Sequence, residues 1–303
     1  MSSTRVALAG ATGNLGRPIL NSLLLAGFHV TVLSRKGSGN AATLGRHPNL
    51  MVEEVGFTDV PTLTVVLFGV EVVISCLATV AIGDQNPLID AAVAAGVKRF
   101  IPAEFGMDSL NPNCAKLAVC QPKVATQKYL LEKSNANPTF TYTSIANGLF
   151  LDWCLGMGII INIPQRTAIL YNGGDVPFSA TLLSDIAKAV LGVITHQAET
   201  KNRVVYVHSA LVTQKKLIQY AVNKDSRVWQ TTEQETRVIR LRSVEERKKG
   251  TAIDIARANL MDSICGCFET DYGCDFSDRL DNELLGVKEM NETQLRALVE
   301  SFM

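Results

Sequence analysis

Gly10, Gly13 and Gly16 are evenly spaced in Gly10-Ala11-Thr12-Gly13-Asn14-Leu15-Gly16, a pattern suited to holding a phosphorylated ligand. Gly10 permits a tight turn, Gly13 lets backbone N–H groups approach a pyrophosphate, and Gly16 lets a following helix pack closely. A helix that starts there adds unpaired N–H donors and a partial positive charge. Such a loop must lie between a strand and a helix. Arg5-Val6-Ala7-Leu8-Ala9 is a short apolar run, and residues 18–26 carry apolar side chains at helical spacing until Gly27 stops them. Dinucleotide binding through Gly10, Thr12, Gly13, Asn14, Leu15 and Gly16 is the resulting expectation, with a purely structural glycine turn as its rival.

The next strand chooses between dinucleotides. It reads His29-Val30-Thr31-Val32-Leu33-Ser34-Arg35 and is followed by Lys36, so the end of the strand offers two cations and no carboxylate. A ribose 2′-hydroxyl would want an acidic acceptor there, whereas a 2′-phosphate would meet Arg35 as a fork and Lys36 as a point charge. NADP is therefore expected rather than NAD.

These residues need a scaffold, and alternation along the chain supplies it. Residues 70–76 and 97–102 read as strands and 87–95 as a helix ended by Gly96, and the β-branched strands show little polar alternation, as strands buried on both faces do. The fold class is α/β: a doubly wound parallel sheet with a smaller α/β substrate-binding region. The NADP-binding domain is expected over 1–150, with 151–303 mainly covering substrate and elements near 180–210 returning to the first domain. Residues 182–195 form a helix pattern and 203–208 a strand closed by His208, while the run Glu245-Glu246-Arg247-Lys248-Lys249 reads as a solvated helix face. None of the four histidines falls in a motif.

Composition narrows the ligand. The 303 residues hold 47% apolar and 19% charged side chains, and 29 Lys plus Arg balance 29 Asp plus Glu, so no global field favours nucleic acid or an anionic membrane. Two tryptophans give no stacking platform for bases. A small-molecule partner is expected, and a homodimer is left open. Seven cysteines without a CxxC pair suit buried free thiols in a reducing compartment and no metal site. The N-terminus carries no signal-like core, and residues 145–163 fall short of a spanning helix, so a cytoplasmic location is expected.

The glycine loop, the block Arg99-Phe100-Ile101-Pro102-Ala103-Glu104-Phe105-Gly106-Met107-Asp108, and Phe140-Thr141-Tyr142 leading to Asn147-Gly148-Leu149-Phe150 together resemble the isoflavone reductase-like and NmrA-like group of atypical short-chain dehydrogenases. The likeness is clear over about residues 4–155, and the segment Asp281-Asn282-Glu283 is similar to fungal members. It implies a Rossmann domain with NADPH and a smaller domain closing over a flat aromatic or phenolic substrate. It also implies that Lys123, in Gln121-Pro122-Lys123-Val124, lies beside the nicotinamide, where it could hold the ribose and relay a proton. Pro122 fits the first turn of a helix, which places Lys123 near that helix's N-terminus. Asn147 is a candidate for the cofactor wall, Phe105 and Phe150 for the substrate wall, and Glu104 serves the fold in this reading.

Tyr129 and Lys133 satisfy the Tyr-x-x-x-Lys spacing of typical short-chain dehydrogenases and compete with Lys123. Six residues of helix turn through a net angle of about 240°, so Lys123 and Tyr129 cannot both face one nicotinamide. Ala103 and Met107 depart from plant members, where Ser and Asn are usual. The expected function is NADPH-dependent reduction of a small aromatic, phenolic or other secondary metabolite. Its rivals are an NmrA-like nicotinamide-sensing regulator without catalysis and a cofactor-bound isomerase or cyclase.

Overall fold

β-Branched runs become strands and amphipathic runs become helices in alternation over the first half of the chain. The structure, a computed structural model, describes residues 4–303. The first half holds β1 (Arg5–Ala9), α1 (Gly16–Leu25), β2 (His29–Arg35), β3 (Leu50–Val55), α2 (Val60–Val66), β4 (Val72–Ser75), α3 (Asn86–Ala94), β5 (Arg99–Ile101), α4 (Gln121–Ala136) and β6 (Thr141–Ala146). There follow β7 (Leu149–Phe150), α5 (Leu151–Gly156), β8 (Thr167–Tyr171), β9 (Phe178–Thr181), α6 (Leu183–Thr195), β10 (Arg203–Tyr206) and β11 (Ala210–Val212). The chain ends with α7 (Gln214–Asp225), β12 (Gln230–Gln234), α8 (Thr236–Lys248), α9 (Ala252–Phe268), α10 (Asn282–Leu285) and α11 (Glu292–Glu300).

Seven strands form one parallel sheet in the order β10-β6-β5-β4-β1-β2-β3. Side chains alternate across it. Val6 and Leu8 of β1 join α1 and α6 in one core, while Ala7 and Ala9 join α2, α3 and α4 in another. A strand buried on both faces has no polar position to spare, which is why β1 reads as a continuous apolar run. A third core is built by α5, α7, α9, the small sheet β11-β9-β7 and β8, which pairs with β12. No helix among the described residues is long and apolar enough to cross a membrane.

β1 and β2 span the residues read from sequence, but other boundaries differ. α1 begins at Gly16, two residues before the apolar spacing starts, because Leu15 already has helical φ and ψ (−86°, −40°). The strand expected over 97–102 is only three residues long, since Pro102 lacks the N–H a ladder needs. β10 stops at Tyr206, so His208 does not close it; the ring is buried, with Nδ1 2.9 Å from Ser179 Oγ. The charged run at 245–249 is not all solvated face either: Arg247 turns inward to Asp262.

A buried charge in β5 also has a physical account. Arg99 donates to the hydroxyls of Thr141, Thr143 and Thr200 and to Gln197 O, tying β5 and β6 to the turn before β10. With hydroxyl and carbonyl acceptors only, burial pulls its pKa down to about 10.

Candidate active site

β1 sits between β2 and β4, so the strand order reverses beside it and opens a crevice at the strands' C-terminal ends. Gly10 turns the chain there with φ +80°, and a Cβ on it would collide with the carbonyl of Cys76, the residue after β4. A Cβ on Gly16 would collide with the Gly10 carbonyl, so α1 can settle onto the loop only as glycine. Gly13 is different. The nearest atom to a Cβ built on it is Gly10 O at 3.4 Å, ordinary contact, so nothing in this chain excludes a side chain there. Its own N–H is spent on Gly10 O (3.1 Å). Among the described residues, the amides of Asn14, Leu15 and Gly16 have no backbone acceptor, and the first turn of α1 holds no acidic side chain. That cradle fits the pyrophosphate of a dinucleotide: an open surface, free donors and the positive end of a helix.

Following the crevice away from the loop, a cavity of about 380 Å³ is lined by Gly13, Asn14, Thr79, Phe105, Lys123 and Phe150 among others. A second, also of about 380 Å³, is mostly apolar and is lined by Phe105, Leu149, Phe150, Trp153, Leu260 and Cys267, again with Thr79 and Lys123. Thr79, Phe105, Lys123 and Phe150 face both, so the two are parts of one crevice that meet at Lys123.

Lys123 owes its place to helix chemistry. Pro122 occupies the first turn of α4, where a missing N–H costs nothing, and Lys123 follows as the first buried residue of the helix. The side chain is only 7% exposed, and Nζ donates to Glu104 O. The loop that presents that carbonyl is pinned twice: Gln85 Oε1 accepts from Ala103 N (2.9 Å), and Gly106 O accepts from Asn147 N and Gly148 N (2.9 Å each).

Glu104 itself is buried. Its Oε2 accepts from Gln127 Nε2 (3.2 Å), and its Oε1 has no partner. Desolvation raises its pKa, partly offset by the nearby Lys123 charge. A carboxyl whose folded pKa is raised contributes full stability below the unfolded value of 4.5 and loses it as pH climbs through the folded pKa. Glu104→Gln removes that loss, so its Tm should exceed the wild type's at pH 8 by more than at pH 4. Equal differences in thermal melts at the two pH values would contradict this.

The other expected residues separate. Tyr129 Oη donates to Asp90 Oδ1 (2.7 Å) and Lys133 pairs with the same carboxylate (2.6 Å), so that pair faces α3 and lines neither cavity. Asn147 is wholly buried below the wall; Nδ2 donates to Gly148 O (3.0 Å), Oδ1 has no partner, and the side chain lines neither cavity. Arg35 and Lys36 stand exposed at the end of β2. β3 adds a carboxylate that strand-by-strand reading missed: Glu54, in register with Ser34, accepts from Gly37 N (3.2 Å).

A model of the NmrA-like family matches residues 2–235. The chain belongs to that family. The oxidoreductase poxI of Penicillium oxalicum is 34% identical over 226 residues, covering 73% of this chain and 70% of the relative. A bifunctional pinoresinol-lariciresinol reductase of Linum perenne is 28% identical, covering 72% of this chain and 74% of the relative. Among solved structures, one described as AtPrR2 with NADP+ and (+)pinoresinol superposes with a TM-score of 0.80 at 22% identity over the whole of both chains. A leucoanthocyanidin reductase–NADPH complex from Vitis vinifera gives 0.75 at 18% identity, covering 98% and 99%. These likenesses establish the NAD(P)-binding Rossmann type of fold.

In this NmrA-like protein the structure also brings forward residues that motif reading passed over. Arg17, one residue past the glycine loop, lines a shallow pocket with Thr12, Gly13 and Asn14 and donates to Thr43 Oγ1 (3.0 Å). Its position in the first turn of α1 was the available signal. Asn259 and Ser263 of α9 enter the apolar cavity from far along the chain and carried no signal at all.

Proposed function

We propose that this NmrA-like protein is an NADPH-dependent reductase of a small aromatic or otherwise flat apolar molecule. The observation that supports it most is that one buried ammonium, Lys123, faces both the dinucleotide end and the apolar end of a single crevice. NADPH, when bound, supplies a hydride. The chain's own part is to hold phosphates at the Asn14, Leu15 and Gly16 amides, to exclude water with Phe105 and Phe150, and to place Lys123 Nζ where negative charge develops on the substrate. Lys123 then stabilises that charge or hands it a proton, and the Glu104 carbonyl keeps the ammonium aimed. Arg35 and Lys36 serve the 2′-phosphate. A sensor of nicotinamide would have no use for a second, apolar cavity of about 380 Å³ beside the lysine.

The test is absorbance at 340 nm with a panel of enones, quinones and lactones. NADPH is expected to be consumed at least tenfold faster than NADH at equal low concentration, and Arg35→Ala is expected to narrow that gap by raising KM for NADPH alone. No turnover with either nucleotide across the panel would contradict the reading.

A further inference from the structure

Two polar side chains interrupt the apolar cavity at successive turns of α9, Asn259 and Ser263, and the hydrogen-bond sense of each is fixed by a neighbour. Arg247 of α8 donates from Nη2 to Asn259 Oδ1 (2.9 Å). A guanidinium can only donate, so the carbonyl end of that amide is committed and Nδ2, with no protein partner among the described residues, is left as a donor. Ser263 Oγ donates to Asn259 O (2.9 Å); a backbone carbonyl can only accept, so the hydroxyl proton is committed and Oγ is left as an acceptor. Arg247 is itself anchored, since Nη2 also donates to the buried Asp262 Oδ2 (2.9 Å), which accepts from Val119 N (3.3 Å).

One donor and one acceptor a helical turn apart are complementary to a group that both accepts and donates. We propose that Asn259 and Ser263 form a specificity element that takes a free hydroxyl on the substrate's apolar frame, the oxygen accepting from Asn259 Nδ2 and the proton going to Ser263 Oγ. An ether oxygen can satisfy only the first contact, and a bare C–H neither. Arg247 is a positioning residue: without its donor the amide is free to flip and loses its sense. The inference rests on the reductase reading for the identity of the cavity as a substrate site, but its test does not require turnover.

The test is ligand binding followed by quenching of Trp153, which lines the cavity, in a Trp229→Phe background. The probes are 4-hydroxychalcone, 4-methoxychalcone and unsubstituted chalcone. The hydroxylated probe is expected to bind about tenfold more tightly than the unsubstituted one, with the ether between them, as two modest hydrogen bonds predict. Asn259→Leu and Ser263→Ala should each reduce that ratio to threefold or less, and Arg247→Met, which removes the Nη2 donor that holds the amide in its sense, should lower it too. A wild-type ratio near one, or a ratio unmoved by all three variants, overturns the proposal. If the ratio behaves as expected while the enone probes consume no NADPH, the reductase reading fails and this one stands. Turnover with equal kcat/KM for all three probes does the opposite: the reductase reading stands and the specificity element falls.

Discussion

Lys123→Met lowers kcat/KM by roughly 10²- to 10⁴-fold, the range expected when a positioned acid or charge partner is removed from a transition state. The loss falls mainly on kcat, because the ammonium is worth most when charge develops on the substrate, and NADPH affinity changes by at most about tenfold. Stability moves little. The side chain is buried beside Gly106, a methionine of similar length fills the space, and the Glu104 carboxyl, losing the charge that partly offsets its desolvation, holds a proton more readily instead of standing as an unpaired buried charge. Steady-state kinetics, a nucleotide titration and a thermal melt on one preparation separate these effects. A kcat within threefold of wild type would remove Lys123 from the chemistry, and a melt lowered by more than about 8 °C would make it a structural residue.

Gly13→Ala leaves folding intact and weakens NADPH binding by about 10²-fold or more. The new methyl makes only ordinary contact with Gly10 O at 3.4 Å, so the protein's own packing tolerates it. It stands, however, on the face that a pyrophosphate must approach, and holding a phosphate off two charge-assisted N–H bonds costs on the order of 1.5–3 kcal/mol for each. Gly16→Ala provides the contrast. Its methyl collides with the Gly10 carbonyl, so α1 must shift, and stability and binding fall together by about 1–3 kcal/mol or more in stability. A Gly13→Ala protein that melts like wild type and still binds NADPH like wild type would show that the cradle is not the phosphate site.

The glycine loop is legible in the sequence because all its determinants lie within a few residues: an apolar strand before it, helical spacing after it, and backbone approaches that only glycine permits at Gly10 and Gly16. The same holds for β2, whose β-branched run is buried on both faces. Lys123 is signalled by Pro122 and by the family resemblance, and the structure places it at the junction of the two cavities. What stays hidden depends on long-range docking. Arg247 reads as part of a solvated charge run until α9 brings Asp262 and Asn259 against it. β12, Gln230–Gln234, has no apolar alternation, because it is a mostly exposed edge strand held by its ladder to β8. The burial of Asn147 is likewise a product of packing, since Thr181 of β9, which pairs beside β7, donates to the Asn147 carbonyl from elsewhere in the chain.

The most direct measurement is a crystal structure of the protein grown with NADP+. Adenine-dinucleotide density should run along the Asn14, Leu15 and Gly16 amides and end with the nicotinamide ribose within hydrogen-bonding reach of Lys123 Nζ, about 3 Å. Density in another groove, or a nicotinamide more than about 6 Å from Nζ with the ammonium still on Glu104 O, would contradict the account.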